Sequence, residues 1–572
     1  MAQSSQPENA EKGRVNFRPF LTPSLILVFA LALRLWGITW SLPNEHHVLT
    51  YHPDEGVNLI QGVLDKGVAR PHVDLNFYNY GGLYFYLWQG AVAVNSSYGL
   101  VQQPEYFQAN TPPSMSMGAM LLVGRLLTAV LGALTAWAVW ALGKKLFGEH
   151  VGLAAGILYA IIPVAVVHAH YATVDVPSTF FVAAAMVYAA NLLEWSGQQT
   201  KPSWVKLLAL AGFISGLAAA TKYNSVLVVL APLAAVFLNL KKQPQTEEVV
   251  QERPGLIPSA SIILATTIGG FLIGCPGILI NPSGFWKNFS FELSKSQQGM
   301  GLLFADTGNG WIYHFTSSMR FGLGIPLQLL ALIAIGYALA KRTNKDWLLL
   351  AFLVPYYLLI GWAQVRFLRY IVPITPVIAV LAARLILEPL KDKPVVGRVL
   401  AGVGAAVGII TLLISLAMDK MMTMIPAQEQ AYTYIQSNVP KGSGIAFVTI
   451  PWYYMPPLSP LFTAPATGKK HAEYARDVTD YQLHPPDGEE WDPSVLQPML
   501  PDYFVVSDIE SEDAQRIKLP AAQPFFKLFS ESYQPTVFEN QPSIFGINIG
   551  KRSYLPNDWL YPYPRITVYK RK

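Results

Sequence analysis

The chain has 572 residues, of which 52% are hydrophobic and only 13% are charged, and its mean hydropathy is +0.31. This composition excludes an ordinary soluble globular protein and predicts a protein that crosses a membrane several times. A net charge of +5 could suggest a nucleic-acid partner, but the lysines and arginines stand in short clusters between apolar runs. Orientation in the bilayer explains that pattern, so no nucleic-acid partner is expected.

Apolar runs long enough to cross a hydrocarbon core of about 30 Å recur along most of the chain. About eleven spans are predicted. They cover Phe20–Trp40, Ala119–Leu142, Val151–Val167, Pro177–Trp195, Lys206–Thr221, Ser225–Leu240, Pro258–Ile280, Phe321–Ala340, Trp347–Trp362, Tyr370–Leu387 and Val399–Met418. The two spans beside Lys222 are short, so one broken or re-entrant segment could replace them.

Clusters of lysine and arginine at the ends of the spans predict the orientation, because such clusters stay on the cytoplasmic side. They fall in alternate loops, at Lys12, Arg14, Arg18, Lys144, Lys145, Lys201, Lys206, Lys241, Lys242, Lys341, Arg342, Lys345, Lys391, Lys393 and Arg398. The tail 1–19 is therefore predicted to be cytoplasmic and disordered. The first span is expected to remain as an anchor, since no cleavage site of small residues follows Trp40.

The same orientation makes the large first loop, residues 41–118, and the segment 419–572 extracytoplasmic, with the membrane domain at 20–418. The C-terminal segment is richer in Pro, Asp and Glu, and it is predicted to be a small α/β domain. A helix is expected from near Ala427 to before Pro440. Short strands are expected at Ile445–Ile450, Tyr503–Ser507, Phe525–Phe529 and Ile566–Tyr569.

Three carboxylates are candidates for chemistry on the extracytoplasmic side. Asp54 and Glu55 begin the first loop, and Asp175 precedes the fourth span. A charge left in hydrocarbon at Asp175 would cost about 2.5–3.5 kcal/mol or more, so a partner or a wet cavity is implied. The alternative for Asp54 and Glu55 is a solvated loop in which they cap a helix after Pro53.

Five cations are predicted to lie in the outer half of the bilayer, where they would suit an anionic headgroup: Arg34, Arg125, Lys222, Arg366 and Arg369. The guanidinium groups of arginines at the membrane interface could donate paired hydrogen bonds to a phosphate that is linked to a long lipid. Snorkelling explains any one of the five, and a structural ion pair is an alternative for Arg34 or Arg125.

Several short motifs together resemble those of GT-C membrane glycosyltransferases, and the resemblance extends over nearly the whole chain. They are His52-Pro53-Asp54-Glu55, His170-Tyr171-Ala172-Thr173-Val174-Asp175-Val176-Pro177, Thr221-Lys222-Tyr223, Arg369-Tyr370-Ile371-Val372-Pro373, Asp502-Tyr503-Phe504-Val505-Val506-Ser507 and Ile566-Thr567-Val568-Tyr569. The group it resembles includes protein O-mannosyltransferases and lipid A aminoarabinose transferases. The resemblance implies a mainly α-helical, polytopic fold in the plasma membrane of a bacterium or archaeon.

The resemblance also implies an activity, the transfer of a sugar from a polyprenyl-phosphate donor to an extracytoplasmic protein, lipid or polysaccharide. Asp54 would be the general base in a single inverting displacement, with Glu55 as second choice or as a residue that orients the acceptor or a cation. Asp175 would shape the acceptor site, bind a metal or hold a cation. Lys222, Arg366 and Arg369 would bind the departing phosphate. His52, His170 and Tyr171 lie in the same motifs and are further candidates.

Two questions stay open at the level of sequence. Metal dependence is the first, since no cofactor is certain from the sequence and His52, Asp54, Glu55 and Asp175 could bind a divalent metal. Against a metal, the Asp-Glu pair lacks Asp-x-Asp spacing, and cations alone can neutralise a lipid-phosphate leaving group. The second function class is a transporter or flippase of an anionic or lipid-linked substrate, because charges within the membrane also mark transport pathways. A transporter typically has repeated halves, and no repeat is detectable here.

Overall fold

The structure is a computed structural model, and it describes residues 18–44, 46–47, 50–65, 70–98, 115–196, 202–241, 253–458, 479–486, 489–497, 499–549 and 555–572. The predicted disordered tail falls almost wholly outside these residues. So do Lys12, Arg14, Lys201 and Lys242 of the predicted basic clusters, and part of the first loop.

The described residues of the membrane domain are mainly α-helical. Its helices are α1 Arg18–Leu35, α2 Pro53–Val57, α3 Leu83–Ser97, α4 Met115–Phe147, α5 Glu149–Ala160, α6 Pro163–Val167, α7 Asp175–Leu193, α8 Trp204–Thr221, α9 Leu230–Leu240, α10 Leu256–Gly274, α11 Gly277–Ile280, α12 Pro282–Gln298, α13 Gly310–Tyr313, α14 Met319–Leu323, α15 Ile325–Lys341, α16 Asn344–Trp362, α17 Thr375–Leu387, α18 Pro389–Asp392 and α19 Pro394–Met421. Short 3₁₀ turns at His168–His170, Tyr223–Val229 and Leu368–Ile374 precede α7, α9 and α17.

Eight helices in the described residues are long and apolar enough to cross a membrane, and the number is up to ten if each of two bent pairs forms one span. The bent pairs are Glu149–Ala160 with Pro163–His170, and Gly310–Leu323 with Ile325–Lys341. A shorter apolar helix covers Pro23–Leu35. Each predicted span overlaps one of these helices or pairs, and the predicted polytopic, mainly α-helical fold is confirmed.

The helical structure is interrupted at Lys222, which lies between two separate apolar helices. Trp204–Thr221 and Tyr223–Leu240 each have the length and composition of a span, as the first of the two sequence interpretations expected. Lys222 itself is extended, with φ −148° and ψ 122°. The break therefore places a lysine side chain at a helix end inside the bundle, where it is 8% exposed.

Small residues let α8 and α10 approach each other closely. A Cβ atom built on Gly270 would overlap the backbone carbonyl oxygen of Phe213, whereas one built on the adjacent Gly269 has no atom within 4 Å. Such close backbone approaches are typical of helix contacts in membranes. Gly270 therefore faces the α8 helix and Gly269 faces away from it.

The C-terminal domain packs helices α20 Ala427–Asn438, α21 Asp508–Arg516 and α22 Gln523–Ser532 on a five-stranded sheet. The strands are β1 Gly444–Phe447, β2 Gln482–His484, β3 Tyr503–Ser507, β4 Tyr533–Glu539 and β7 Arg565–Arg571, in the order β2-β1-β3-β7-β4. β1 is parallel to β2 and β3, and β7 is antiparallel to β3 and β4. The strands β5 Ser543–Ile544 and β6 Ile547–Asn548 form a separate hairpin.

Most of the predicted elements of this domain are present, but the strand predicted at Phe525–Phe529 is wrong. That segment lies in α22, whose first turn contains Pro524. Phe525 and Phe529 are four residues apart, so on a helix they share one face. Both rings pack on Phe504 of the sheet, and the apolar run that resembled a strand is the buried face of a helix.

We expect Gly270→Ala to destabilise the protein and Gly269→Ala to leave its stability unchanged or slightly higher. Overpacking at a tight contact costs about 1–3 kcal/mol, whereas alanine is favoured over glycine in a helix by about 0.5–1 kcal/mol where there is room. Thermal unfolding of both variants in the same detergent measures the difference. Equal midpoints would contradict the close α8–α10 contact.

Candidate functional site

Arg369 lies among three carboxylates near the start of the Leu368–Ile374 turn. Its Nη2 atom is 2.9 Å from Asp54 Oδ2, and its Nη1 atom is 3.7 Å from Asp558 Oδ2. The third carboxylate, Asp175, has its Oδ2 atom 3.9 Å from Arg369 Nε. The side chain of Arg369 is only 6% exposed, so these acids supply the counter-charge that a buried guanidinium requires.

Lys222 joins the same group of residues through Asp175. Its Nζ atom donates a hydrogen bond to Asp175 Oδ1 at 2.5 Å, and the ammonium lies 4.7 Å from the centre of the Tyr370 ring. Asp175 is the first residue of α7, where the positive end of the helix dipole also favours a carboxylate. We call Arg369, Lys222, Asp54, Asp175 and Asp558 the Arg369 cluster.

Glu55 points away from this cluster and forms a separate, fully buried ion pair with Arg125. Arg125 donates from Nε and Nη2 to the two carboxylate oxygens, at 2.8 and 2.7 Å. The amide of Ala172 and the hydroxyl of Thr50 also donate to Glu55, at 2.7 and 2.8 Å. Burial opposes ionisation, but Arg125 outweighs it, so the pKa of Glu55 lies below its ordinary value. Glu55 is thus an ionised carboxylate whose lone pairs are occupied.

Asp54 has a different environment, although it is the adjacent residue. Its side chain is 26% exposed, and Arg369 is its ion-pair partner. The backbone amide of Asp54 donates to Nδ1 of His52 at 3.2 Å, which fixes the start of α2. Burial holds the pKa of His52 well below its ordinary value, so the imidazole is neutral and accepts this bond. His52 also packs against the ring of Tyr171, at 4.3 Å between centroids.

Arg34 and His170 are two more of the predicted site residues that lie outside the Arg369 cluster. Arg34 donates to the carbonyls of Ala30 and Ala160, at 2.9 and 3.1 Å. His170 lies beside Asp419, with 3.8 Å between Nε2 and Oδ1.

Arg366 binds a loop instead of joining Lys222 and Arg369. Its Nη1 atom donates to Thr307 Oγ1 at 2.6 Å and to the Gly308 carbonyl at 2.7 Å. The convergence of five cations that the sequence predicted is therefore not present. The structure brings together Lys222 and Arg369, while Arg125, Arg34 and Arg366 have structural partners.

A cavity of about 790 Å³ opens beside Asp54, between the membrane domain and the C-terminal domain. Asp54, Lys295 of α12 and Phe367 line its floor, and the C-terminal domain forms its roof. Roof residues include Trp452, Tyr453, Tyr454, Glu490, Glu510, Asp513 and Tyr561. The volume lies within the range of ligand pockets, and Asp54 is the member of the Arg369 cluster that reaches it.

Asp558 of the C-terminal domain is a member of the Arg369 cluster that was not predicted from the sequence. Its two carboxylate oxygens accept the backbone N–H groups of Leu368 and Arg369, each at 2.9 Å. Asp558 is completely buried. The signal in the sequence was weak, because Asp558 is one acid among aromatic residues in a tail that contains many acids, and only the fold brings it to Arg369.

The four residues considered as metal ligands do not fit a metal site. The four side chains contact different partners and do not converge on one point. Asp54 and Asp175 face Arg369, Glu55 faces Arg125, and His52 Nδ1 accepts a hydrogen bond from a backbone amide. In the part of the chain that the structure describes, no group of three or more His, Cys, Asp or Glu side chains is arranged to hold a metal ion. No chemical step is therefore assigned to a metal.

The described residues form an apolar helical bundle with paired acids and cations beneath a small α/β domain. Residues 115–264 match the family described as dolichyl-phosphate-mannose-protein mannosyltransferase, and the resemblance found in the sequence is confirmed. The matched segment contains Arg125, Asp175 and Lys222. No curated protein matches the chain.

The structure is similar to several solved structures at low sequence identity. The archaeal oligosaccharyltransferase AglB of Archaeoglobus fulgidus, solved with an inhibitory peptide and a dolichol-phosphate, is 13% identical over 94% of this chain and 75% of that one, with a TM-score of 0.47. ArnT of Cupriavidus metallidurans bound to undecaprenyl phosphate is 12% identical over 97% of this chain and 98% of that one, with a TM-score of 0.46. The protein O-mannosyltransferase Pmt1-Pmt2 complex of S. cerevisiae, bound to the sugar donor, is 18% identical over 48% of this chain and 35% of that one, with a TM-score of 0.33.

We expect Glu55→Gln to destabilise the protein strongly, by about 3 kcal/mol or more, because it leaves the buried Arg125 charge without its carboxylate. Asp54→Asn should have a small effect on stability, because Asp54 is partly exposed and Arg369 keeps two other carboxylates nearby. Thermal unfolding of the two variants in detergent compares the roles of the adjacent acids. A smaller loss for Glu55→Gln than for Asp54→Asn would contradict this assignment.

We expect stability to depend on pH because of the raised pKa of Glu510 in the cavity roof. Burial and the nearby Glu490 raise the pKa of Glu510 to about 8, and burial raises the pKa of Glu512 to about 7. The folded protein binds these protons more tightly than the unfolded chain, so stability falls as pH rises from about 5 to about 9. Glu510→Gln should reduce this fall without abolishing it, since Glu512 remains. An unchanged pH profile of the unfolding midpoint would show that Glu510 is already ionised at neutral pH.

Proposed function

We propose that this protein transfers a sugar from a polyprenyl-phosphate donor to an acceptor hydroxyl or amine on the extracytoplasmic side of the plasma membrane. The observation that carries the proposal is the position of Asp54, a carboxylate that lines a ligand-sized cavity and contacts a buried cation. A general base must lie within hydrogen-bond reach of the proton that it takes from the acceptor, so it must line the space where the acceptor binds. Among the three sequence-predicted acids, the contacts of Asp54 suit that role best.

In the proposed reaction, Asp54 takes the proton of the acceptor as the acceptor oxygen or nitrogen forms a bond to the anomeric carbon. The bond from that carbon to the phosphate oxygen breaks, and its electron pair leaves with the polyprenyl phosphate. The nucleophile enters opposite the leaving group, so the configuration of the sugar inverts. The reaction is a single displacement in which one bond forms as another breaks, and no covalent enzyme intermediate is needed.

Lys222 and Arg369 are the proposed ligands of the leaving phosphate. Both cations are buried and preorganised by acids, and charge stabilisation is strong where water is excluded. Arg369 is 2.9 Å from Asp54. A phosphate oxygen that replaces Asp54 on Arg369 would free that carboxylate to act as base. Donor binding would thereby activate the residue that deprotonates the acceptor.

The other predicted acids have supporting roles in this proposal. Asp175 holds Lys222 and faces Arg369, so it orients both phosphate ligands. Glu55 holds Arg125, which in turn donates to the carbonyls of Ile38 and Trp40 at 2.7 and 2.6 Å. The Glu55–Arg125 pair therefore fixes the first loop against α4, and it places the adjacent Asp54 at the cavity.

The distribution of basic residues supports the proposed orientation. Lys144, Lys145, Lys341, Arg342 and Lys345 lie at helix ends in alternate connections, as expected for cytoplasmic loops. The Arg369 cluster contacts the C-terminal domain through Asp558. The site and that domain would therefore both face the extracytoplasmic space, where lipid-linked sugars and the acceptor meet.

We expect Asp54→Asn to reduce sugar transfer at least about a hundredfold, which is the usual contribution of a general base. Purified protein in proteoliposomes would receive radiolabelled sugars on undecaprenyl or dolichyl phosphate, with a membrane extract as acceptor. Asp480→Asn is a matched control, since Asp480 is 50% exposed and pairs with Lys441, away from the cluster. It should transfer as the wild type does.

Equal transfer by the Asp54→Asn variant would refute the assignment of the base. A wild-type protein that moves intact lipid-linked sugar across the bilayer, with no labelled acceptor formed, would instead support the transporter interpretation.

A further inference from the structure

The short helical turn that contains Arg369 has no cap of its own. The Leu368–Ile374 turn begins after Phe367, which offers no side-chain hydrogen bond to the first N–H groups. Those groups have no partner within the turn, and an uncapped helix end in a buried site is costly. The carboxylate of Asp558 provides the missing cap, although Asp558 lies 189 residues further along the chain than Arg369.

Asp558 is well placed to act as a cap from another domain. Both of its oxygens are used, one by the amide of Leu368 and one by the amide of Arg369, each at 2.9 Å. Hydrogen bonds from backbone N–H groups to a carboxylate are stronger than those to a neutral acceptor. Because the side chain is completely buried, water cannot substitute for it.

The same carboxylate also helps to direct the Arg369 side chain. Asp558 Oδ2 is 3.7 Å from Arg369 Nη1, and the guanidinium carbon lies 3.9 Å from the centre of the Phe367 ring. Tyr561, three residues after Asp558, approaches Nη1 with its hydroxyl at 3.5 Å and packs its ring against His52 at 4.8 Å between centroids. The Asn557–Tyr561 segment thus contacts Arg369 through both backbone and side chain.

We infer that Asp558 is a positioning residue for Arg369, and that the C-terminal domain thereby completes the phosphate-binding site of the membrane domain. The inference rests on the proposed function, because it takes Arg369 to be a ligand of the donor phosphate. Asp558 does not touch the phosphate. It acts by fixing the backbone at Arg369 and by balancing the guanidinium charge when a phosphate replaces Asp54.

A double-mutant cycle on the full-length protein tests this role. The probe is undecaprenyl phosphate in lipid nanodiscs, and the measurements are its dissociation constant and the thermal unfolding midpoint of each variant. The variants are Asp558→Asn, Arg369→Ala and the double variant. Asp558→Asn retains the volume of the side chain, but its amide group cannot accept both N–H bonds.

We expect Asp558→Asn to weaken undecaprenyl phosphate binding about tenfold or more, in line with the loss of a hydrogen bond to a charged group. In the Arg369→Ala background the same substitution should have no further effect on binding, because Asp558 acts through Arg369. In transfer assays, the donor KM should rise more than kcat falls. Asp502→Asn, in an exposed pair with Arg571 of the same domain, should bind as the wild type does.

The outcomes separate this inference from the proposed function. If the losses of affinity in Asp558→Asn and Arg369→Ala multiply in the double variant, the positioning role is overturned. Asp558 would then affect binding without Arg369. Wild-type binding by Asp558→Asn would also overturn it. If the wild type itself did not bind undecaprenyl phosphate, the proposed function would fail and this inference with it. If Asp558→Asn does not fold, Tyr561→Phe, which removes the 3.5 Å hydroxyl contact to Arg369 and retains the ring, should still weaken binding in the same Arg369-dependent way.

Discussion

Charge compensation in an apolar interior is the constraint on which this structure depends. A carboxylate in contact stabilises a buried cation, and the chain provides such partners from segments far apart in sequence. The Glu55–Arg125 pair joins residues 70 apart, and Asp175–Lys222 joins residues 47 apart. Each pair therefore fixes how two segments of the bundle meet. The contacts of the Arg369 cluster collect both signs of charge at one place, beside the cavity under the C-terminal domain.

The adjacent acids Asp54 and Glu55 show how local geometry separates two similar side chains. Successive residues on a helix point about 100° apart, and α2 turns one carboxylate inward and the other toward the cavity. Glu55 is completely buried and fully hydrogen-bonded, whereas Asp54 keeps 26% of its side chain exposed. The inward acid provides rigidity, and the outward acid retains the freedom to exchange partners.

The sequence predicts the fold well where the physical signal is local. Runs of apolar residues identify the spans, and the interruption between helices at Lys222 is visible as a lysine between two short runs. The site is only partly predictable. Asp54, Asp175, Lys222 and Arg369 do lie together, but Arg34 and Arg366 bind backbone carbonyls and a loop instead. A hydropathy pattern gives the depth of a charge and not its direction around the helix, so it cannot distinguish these cases. Asp558 was not predictable for a related reason, because its contact depends on how two domains dock.

The long interval between Arg369 and Asp558 has a consequence for the order of biosynthesis. Chains are made from the N-terminus, and domains fold largely as they emerge, so the helical bundle exists before its C-terminal domain. During that interval Arg369 lacks the carboxylate that caps its turn. A newly inserted bundle would therefore be unready to bind a lipid phosphate until the following domain has docked. The 189-residue contact would make completion of the proposed phosphate site depend on the docking of the C-terminal domain.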